Sequence, residues 1–187
     1  MDHSYRILSP RLLLRPLTEH DLEVIRTWPN HASTRIWFHD YQPIDIDRAV
    51  NDYERYRLNE RDMMFVAVWM EQELAIGTAS LSRIDLTMRT AELGKVYIGS
   101  PEAQGLSFGE EMVSALTAFG IGTLGLKQLE LYVKVTNTRA IRVYMNCGYV
   151  HDRSYRHHRV KGATSSLIRM VYTVPRKRSI DASESQG

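Results

Sequence analysis

The chain has 187 residues, 43% of them hydrophobic, enough for one globular domain with a buried core. Its 24 Lys plus Arg against 22 Asp plus Glu leave a formal net charge of +2, which gives no support for a protein that coats DNA or RNA through a concentrated basic field. A single cysteine, Cys147, excludes an intramolecular disulfide and a multi-cysteine zinc site, and no run approaches the roughly 18 apolar residues of a membrane span.

Met1-Asp2-His3-Ser4-Tyr5-Arg6 lacks the basic segment and apolar run of a secretory signal, so a cytoplasmic protein with no membrane partner is the expectation. Arg11 to Pro16 reads as a first strand ended by proline. Thr18 is placed to cap a helix, with Asp21 reaching back from its third position and Leu17 stapling onto Leu22. Leu22, Ile25 and Trp28 then share a helical face, and Pro29-Asn30 interrupts it. Asn30 to Pro43 is aromatic and polar without a clean period. A second helix is expected after Asp45 or Asp47, with Ala49, Val50, Tyr53 and Tyr56 as its apolar stripe.

Met63–Met70, Leu74–Ile84 and Ala91–Gly99 read as three strands whose connections are too short for crossovers, hence an antiparallel meander. The period then changes. Phe108, Met112, Leu116 and Phe119 recur at helical spacing, and Gly120, Gly122 and Gly125 punctuate the end. Leu129, Leu131 and Val133 alternate with polar neighbours as a half-buried strand. Ala140, Ile141 and Tyr144 mark another helix, stopped at Gly148. Val150–Val160, a turn at Lys161-Gly162, and Leu167–Val174 read as a closing hairpin, whose exposed strand could support a homodimer. The composition of residues 175–187 reads as a disordered tail, leaving a single domain over 1–174. The fold class is α/β (α+β): a mixed, mostly antiparallel sheet flanked by helices.

The stretch Pro101-Glu102-Ala103-Gln104-Gly105-Leu106-Ser107-Phe108-Gly109 lies between a strand and a strongly periodic helix. Such a turn exposes main-chain N–H groups to an anion, and the helix dipole adds to the attraction. Taken alone, a glycine-containing turn is common. It is not a Walker loop, since no Gly-Lys-Ser/Thr follows. A dinucleotide-binding fold would place its loop after the first strand.

At this loop the chain resembles the GCN5-related N-acetyltransferase (GNAT) superfamily, whose signature Gln/Arg-x-x-Gly-x-Gly/Ala appears here as Gln104-Gly105-Leu106-Ser107-Phe108-Gly109. Asn137, Ala140, Tyr144, Gly148 and Tyr149 match a second signature at the expected distance. The opening Arg11–Leu22 looks like the branch of ribosomal-protein N-terminal and spermidine acetyltransferases. The resemblance spans roughly residues 8 to 174. It implies splayed strands with acetyl-coenzyme A between them, pantetheine along the strand edge Tyr97, Ile98 and Gly99, and pyrophosphate on the N–H groups of Gln104 to Glu110. It further implies that Asn137, beside Ala140, bonds the pantetheine arm and that Tyr144 faces the sulfur. Ser107 replaces the usual first glycine of the loop, and a right-handed helical backbone is expected for it. Leu106 stands where many members carry a basic residue.

The implied chemistry needs three things. An alkylamine of pKa about 10 must lose a proton, the tetrahedral oxyanion needs a donor, expected at the N–H of Ile98 or Gly99, and the thiolate needs an acid. Tyr144 is the candidate acid, although its spacing alone marks it as core. Glu92 is the candidate base, with Asp85 and Glu60 weaker. Asn137 also reads as a helix cap, and Cys147 as a small buried filler. His157-His158 would point to opposite strand faces, so no metal site is expected. Asn30, Arg35, Trp37, Phe38 and His39 lie where the family binds its acceptor. His39-Asp40 stands where spermidine acetyltransferases carry paired acids, while Arg35, Arg48, Arg156 and Arg159 could meet a diphosphate. The expected activity is acetyl transfer to a primary amine of a small molecule, an amino sugar or a polyamine. Acetylation of protein N-termini and a non-catalytic coenzyme A-binding module are the alternatives.

Overall fold

The computed structural model describes residues 2–28, 44–155 and 166–174. β1 (Ile7–Leu8) and β2 (Leu12–Pro16) lead into a 3-10 turn over Glu19–Asp21 and α1 (Leu22–Ile25). α2 (Ile46–Arg57), β3 (Met63–Trp69), β4 (Leu74–Asp85) and β5 (Thr90–Ile98) follow, then α3 (Phe108–Gly122), β6 (Gln128–Lys134), α4 (Thr138–Asn146), β7 (Val150–His151) and β8 (Leu167–Thr173). Among the described residues the strands form one sheet in the order β1-β2-β3-β4-β5-β6-β8-β7. Every pairing is antiparallel except β5 with β6. The mixed sheet and the β3–β4–β5 meander are those expected. β1, only two residues long, was not. The turn proposed at Lys161-Gly162 and the tail lie outside the described residues.

Side-chain alternation gives the sheet two apolar faces. Phe65, Ile76, Leu81, Leu93, Leu129 and Leu131 meet α3 through Phe108, Met112, Leu116 and Phe119, all almost fully buried. On the other face Val66 packs with Leu17, Leu22, Ala49 and Tyr56, which brings in α1 and α2. The α2 stripe is the one read from spacing, and Asp45 caps that helix by accepting the Arg48 N–H at 2.8 Å.

At the start of α1, the Thr18 N–H and hydroxyl both donate to Asp21 Oδ2, at 2.9 and 2.8 Å. Arg15 adds a fork to the same carboxylate at 2.8 and 2.7 Å. Burial works to raise the Asp21 pKa, but the bonds from Arg15 and Thr18 outweigh it and hold the group below its ordinary value. Its stabilising effect is therefore present above the unfolded carboxylate pKa and lost as pH falls through the lower folded value. Asp21→Asn is expected to cost about 2 kcal/mol at pH 7, because it leaves Arg15 without its counter-charge. Denaturant unfolding should show that difference shrinking toward pH 3; a pH-independent difference would contradict the assignment.

Two bulges shape β5. Thr78 pairs with Tyr97 and Ser80 with Gly94, so β5 carries one extra residue there, where Lys95 has φ 49°. Ser82 pairs with Glu92 and Asp85 with Thr90, so β4 carries the extra residue next, where Arg83 has φ 52°. Bulges bend a strand and re-aim its side chains. Both lie beside the place where the sheet opens.

Candidate active site

β5 and β6 pair only at Thr90–Gln128, Ala91–Leu129 and Glu92–Glu130. β5 runs on to Ile98 and β6 to Lys134 with no further rung between them. A V-shaped gap therefore opens toward the C-terminal end of β5, just below the loop that leads into α3. This is the splay expected from the resemblance.

The lip on β5 differs from expectation at one residue. The Gly99 N–H donates to the Ile76 carbonyl at 2.8 Å, on the β4 side. A Cβ on Gly99 would lie 2.1 Å from the Trp28 ring, so the residue is closed in on that side as well. Gly99 is thus not a bare donor for an oxyanion. Alternation along the strand turns the Ile98 N–H the other way, toward the gap. Tyr97 sets its ring edge-on to Trp28, with centroids 5.9 Å apart.

The loop is preshaped. Pro101–Ala103 forms a 3-10 turn in which the Gln104 N–H donates to the Pro101 carbonyl at 3.2 Å. The free donors therefore begin at Gly105 and not at Gln104. Gly105 takes φ 83°, and a Cβ there or on Gly109 would meet nothing within 4 Å. Ser107, the N-cap of α3, takes φ 62° and ψ 16°. This left-handed conformation overturns the right-handed one expected of a serine: the loop keeps the backbone of the glycine usual there, at a cost of about 1–2 kcal/mol. The first intrahelical bond of α3 is Glu111 N–H to Ser107 carbonyl, which leaves the N–H groups of Phe108, Gly109 and Glu110 directed out of the helix end. Open space over two glycines and outward donors at a helix N-terminus suit a pyrophosphate.

α4 closes the site from the other side. Asn137 caps it, its Oδ1 accepting the Ala140 N–H at 3.2 Å, so the capping role read for Asn137 is present and the Ala140 N–H is taken. Asn146 Nδ2 donates to Glu110 Oε2 at 3.1 Å, and Cys147 Sγ lies 3.3 Å from Ser114 Oγ. These contacts press the last turn of α4 against the first turns of α3. Cys147 is half-buried and packs against the core as a small filler. Tyr144 packs edge-on to Tyr149, with centroids 6.1 Å apart. Among the described residues its hydroxyl has no hydrogen-bond partner, whereas the Tyr149 hydroxyl pairs with Thr117 at 2.9 Å. Burial, with a smaller push from Cys147, raises the Tyr144 phenol to about 12. It is protonated at neutral pH and able to donate.

Glu92 stands on the last shared rung, opposite Glu130, at the foot of the gap. The Arg83 bulge sends its guanidinium to within 3.0 Å of Glu92 Oε2. Burial raises the Glu92 pKa; Arg83 pulls it down, and Glu130 and Asp62 push it up again. Glu130 is itself held by Arg169, which also pairs with Asp152 at 2.6 Å. A carboxyl with a raised pKa is the stronger base. It also means that the ionised form is held at a net cost once pH exceeds the unfolded value. Glu92→Gln is therefore expected to lower kcat/KM by about 100-fold without lowering the melting temperature at pH 7. An unchanged kcat/KM would remove Glu92 from the chemistry. Asp85, the weaker alternative, accepts the Met88 N–H at 2.8 Å inside the β4–β5 turn, and Glu60 is exposed before β3.

Asn30, Arg35, Trp37, Phe38, His39 and the pair His157-His158 lie outside the described residues. Arg11 was read only as the start of a strand and Glu111 was not singled out, yet they bracket the loop. They stand 100 positions apart, and no local pattern joins them.

The family description "acetyltransferase (GNAT) domain" matches residues 11–150. A spermidine N(1)-acetyltransferase from Vibrio cholerae serotype O1 is 25% identical over 145 residues, covering 78% of this chain and 82% of that protein. The Escherichia coli (strain K12) spermidine N(1)-acetyltransferase is 29% identical over 160 residues, 84% of this chain and 83% of that one. Among solved structures, the Vibrio cholerae spermidine N-acetyltransferase in complex with CoA and spermine superposes with a TM-score of 0.76 at 24% identity, over 88% of this chain and 96% of that chain.

Proposed function

Because the chain belongs to the GNAT acetyltransferase family, we propose that it moves the acetyl group of acetyl-coenzyme A onto a primary amine of a small polyamine. The gap between β5 and β6 receives the pantetheine arm, and the loop from Gly105 to Glu110 receives the pyrophosphate. In this reading Glu92, six residues before Ile98 on the same strand, takes the proton from the incoming ammonium through intervening water. The Ile98 N–H meets the oxygen of the tetrahedral intermediate, and the Tyr144 phenol protonates the departing thiolate. Asn137 and Ala140 hold the start of α4 in place behind the arm.

The choice of amine rests on one observation. The foot of the gap carries Glu92 and Glu130 side by side, with Asp62 adding to their field and Asp152 beside Glu130's partner, so these four carboxylates outnumber the two guanidinium groups that pair with them, Arg83 and Arg169. A polycation is drawn to that field, whereas a nucleotide-linked amino sugar, carrying phosphates, is repelled. The two spermidine acetyltransferases similar to this chain favour the same acceptor class. Asn30, Arg35, Trp37, Phe38 and His39 complete the acceptor pocket in this reading.

Residues 1–174 are read as one acetyltransferase domain and 175–187 as its tail. A cytoplasmic setting is inferred from the need for acetyl-coenzyme A and from the lone thiol. We infer that self-association, where it occurs, uses the edge that β7 forms among the described residues, where Val150 is exposed.

The test is thiol release from acetyl-coenzyme A with spermidine, spermine, a nucleotide-linked amino sugar and a peptide bearing a free N-terminus. Turnover on the two polyamines is expected. Turnover on the peptide alone would make the protein an N-terminal acetyltransferase. Cofactor binding with no turnover on any amine would make it a binding module.

A further inference from the structure

Arg11 touches the loop and the first turn of α3 at three residues, Leu106, Phe108 and Glu111. Its N–H donates to Glu111 Oε1 at 2.7 Å, and its Nε donates to Glu111 Oε2 at 2.8 Å. Its guanidinium carbon lies 4.2 Å from the centroid of the Phe108 ring. Its Nη1 donates to the Leu106 carbonyl at 3.0 Å. Ser9 Oγ adds a bond to Glu111 Oε1 at 2.7 Å. Burial works to raise the Glu111 pKa, but these bonds hold it below its ordinary value, so the bracket keeps its charge at neutral pH.

The Leu106 carbonyl is the informative contact. In a planar trans peptide the C=O and the following N–H point in opposite directions. Anchoring the Leu106 oxygen on Arg11 therefore aims the Ser107 N–H away from Arg11, on the side opposite the guanidinium. Ser107 needs such an anchor. Its left-handed backbone is strained for a residue with a Cβ, and strain of this kind persists only where the surroundings over-determine it. Phe108, the next residue, is clamped between Arg11 and Trp69, whose ring lies 5.0 Å away.

We propose that Arg11 is a positioning residue for the pyrophosphate site: from the start of β2 it holds the Leu106–Phe108 backbone in its anion-binding shape before the cofactor arrives. The inference rests on the reading that this loop takes the cofactor's pyrophosphate. Leu106 supplies no cation of its own, so the loop binds through main-chain N–H groups, and their aim decides the affinity.

The test is calorimetric titration of the parent, Arg11→Met and Arg11→Lys with two probes, coenzyme A and pantetheine, which lacks the phosphates. Arg11→Met should bind coenzyme A about tenfold more weakly and pantetheine unchanged. Arg11→Lys keeps the charge but loses the fork, and should fall between. Amide hydrogen exchange over residues 105–110 of the ligand-free protein should quicken in both variants while the strands stay protected. Unchanged coenzyme A affinity in both variants would overturn the proposal. So would equal weakening of the two probes, which would mean a general loss of fold. A parent that binds the two probes equally would instead sink the reading of the loop itself, and the proposal with it.

Discussion

Replacing Tyr144 by Phe is expected to lower kcat by about 10²- to 10³-fold while leaving the KM for acetyl-coenzyme A within about twofold. The hydroxyl has no partner among the described residues, so its removal strands no buried donor or acceptor. Stability should hold to within about 0.5 kcal/mol. Tyr149→Phe provides the contrast, because its hydroxyl is buried against Thr117 at 2.9 Å. That change should cost about 1–2 kcal/mol of stability and leave kcat close to the parent. Steady-state thiol release and thermal melting on both variants separate chemistry from packing. With the Tyr144 phenol pushed up to about 12, its proton stays on through the working range. The parent's kcat should accordingly show no falling limb below about pH 10 that Tyr144→Phe abolishes. An unchanged kcat in Tyr144→Phe would end the case for Tyr144 as the acid.

Gly77→Ala carries the other large expectation, this time through the backbone. Gly77 lies opposite Ile98, and a Cβ on it would sit 2.2 Å from the Tyr97 carbonyl oxygen and 3.2 Å from the Ile98 side chain. A side chain can rotate away from such a clash, but a main-chain oxygen in a ladder cannot. β5 must therefore shift as a strand, at the segment that forms one lip of the gap. The expected loss is about 3 kcal/mol. Coenzyme A affinity should fall with it, because the Ile98 edge moves. Denaturant unfolding and calorimetry on the folded fraction check the two parts. Full stability in Gly77→Ala would mean that β4 and β5 are not held as closely as described.

How much was legible in the sequence follows from the range over which each feature is decided. The α2 stripe and the Thr18–Asp21 pairing depend on residues within one or two helical turns, and they appear where spacing puts them; the start of α2, left open between Asp45 and Asp47, falls at Asp45. The meander was readable because its turns are too short for anything else. The signature of the loop pointed to the right segment, but two details inside it and one on the strand before it did not follow. Ser107 is left-handed in a backbone held by Arg11 through Leu106, Phe108 and Glu111, and Arg11 reaches that segment only in three dimensions. The Gln104 N–H is taken by a 3-10 turn that the motif does not encode. The Gly99 N–H faces Ile76 because Lys95 inserts an extra residue into β5, and a shift of one residue exchanges which groups face β4 and which face the gap. No bulge residue was recognisable beforehand, since Arg83 and Lys95 are ordinary strand-edge side chains by type.

The three rungs shared by β5 and β6 have a bearing on cohesion as well as on shape. Everything before that seam, from β1 to β5, hangs together as one antiparallel ribbon; everything after it, β6, β8 and β7, is contributed by the last third of the chain. A molecule lying in the gap and gripping both lips would act as the missing cross-tie between these halves. Its affinity would then be returned as resistance to parting along that line, so that the empty protein breathes there first and the loaded one behaves as a single block.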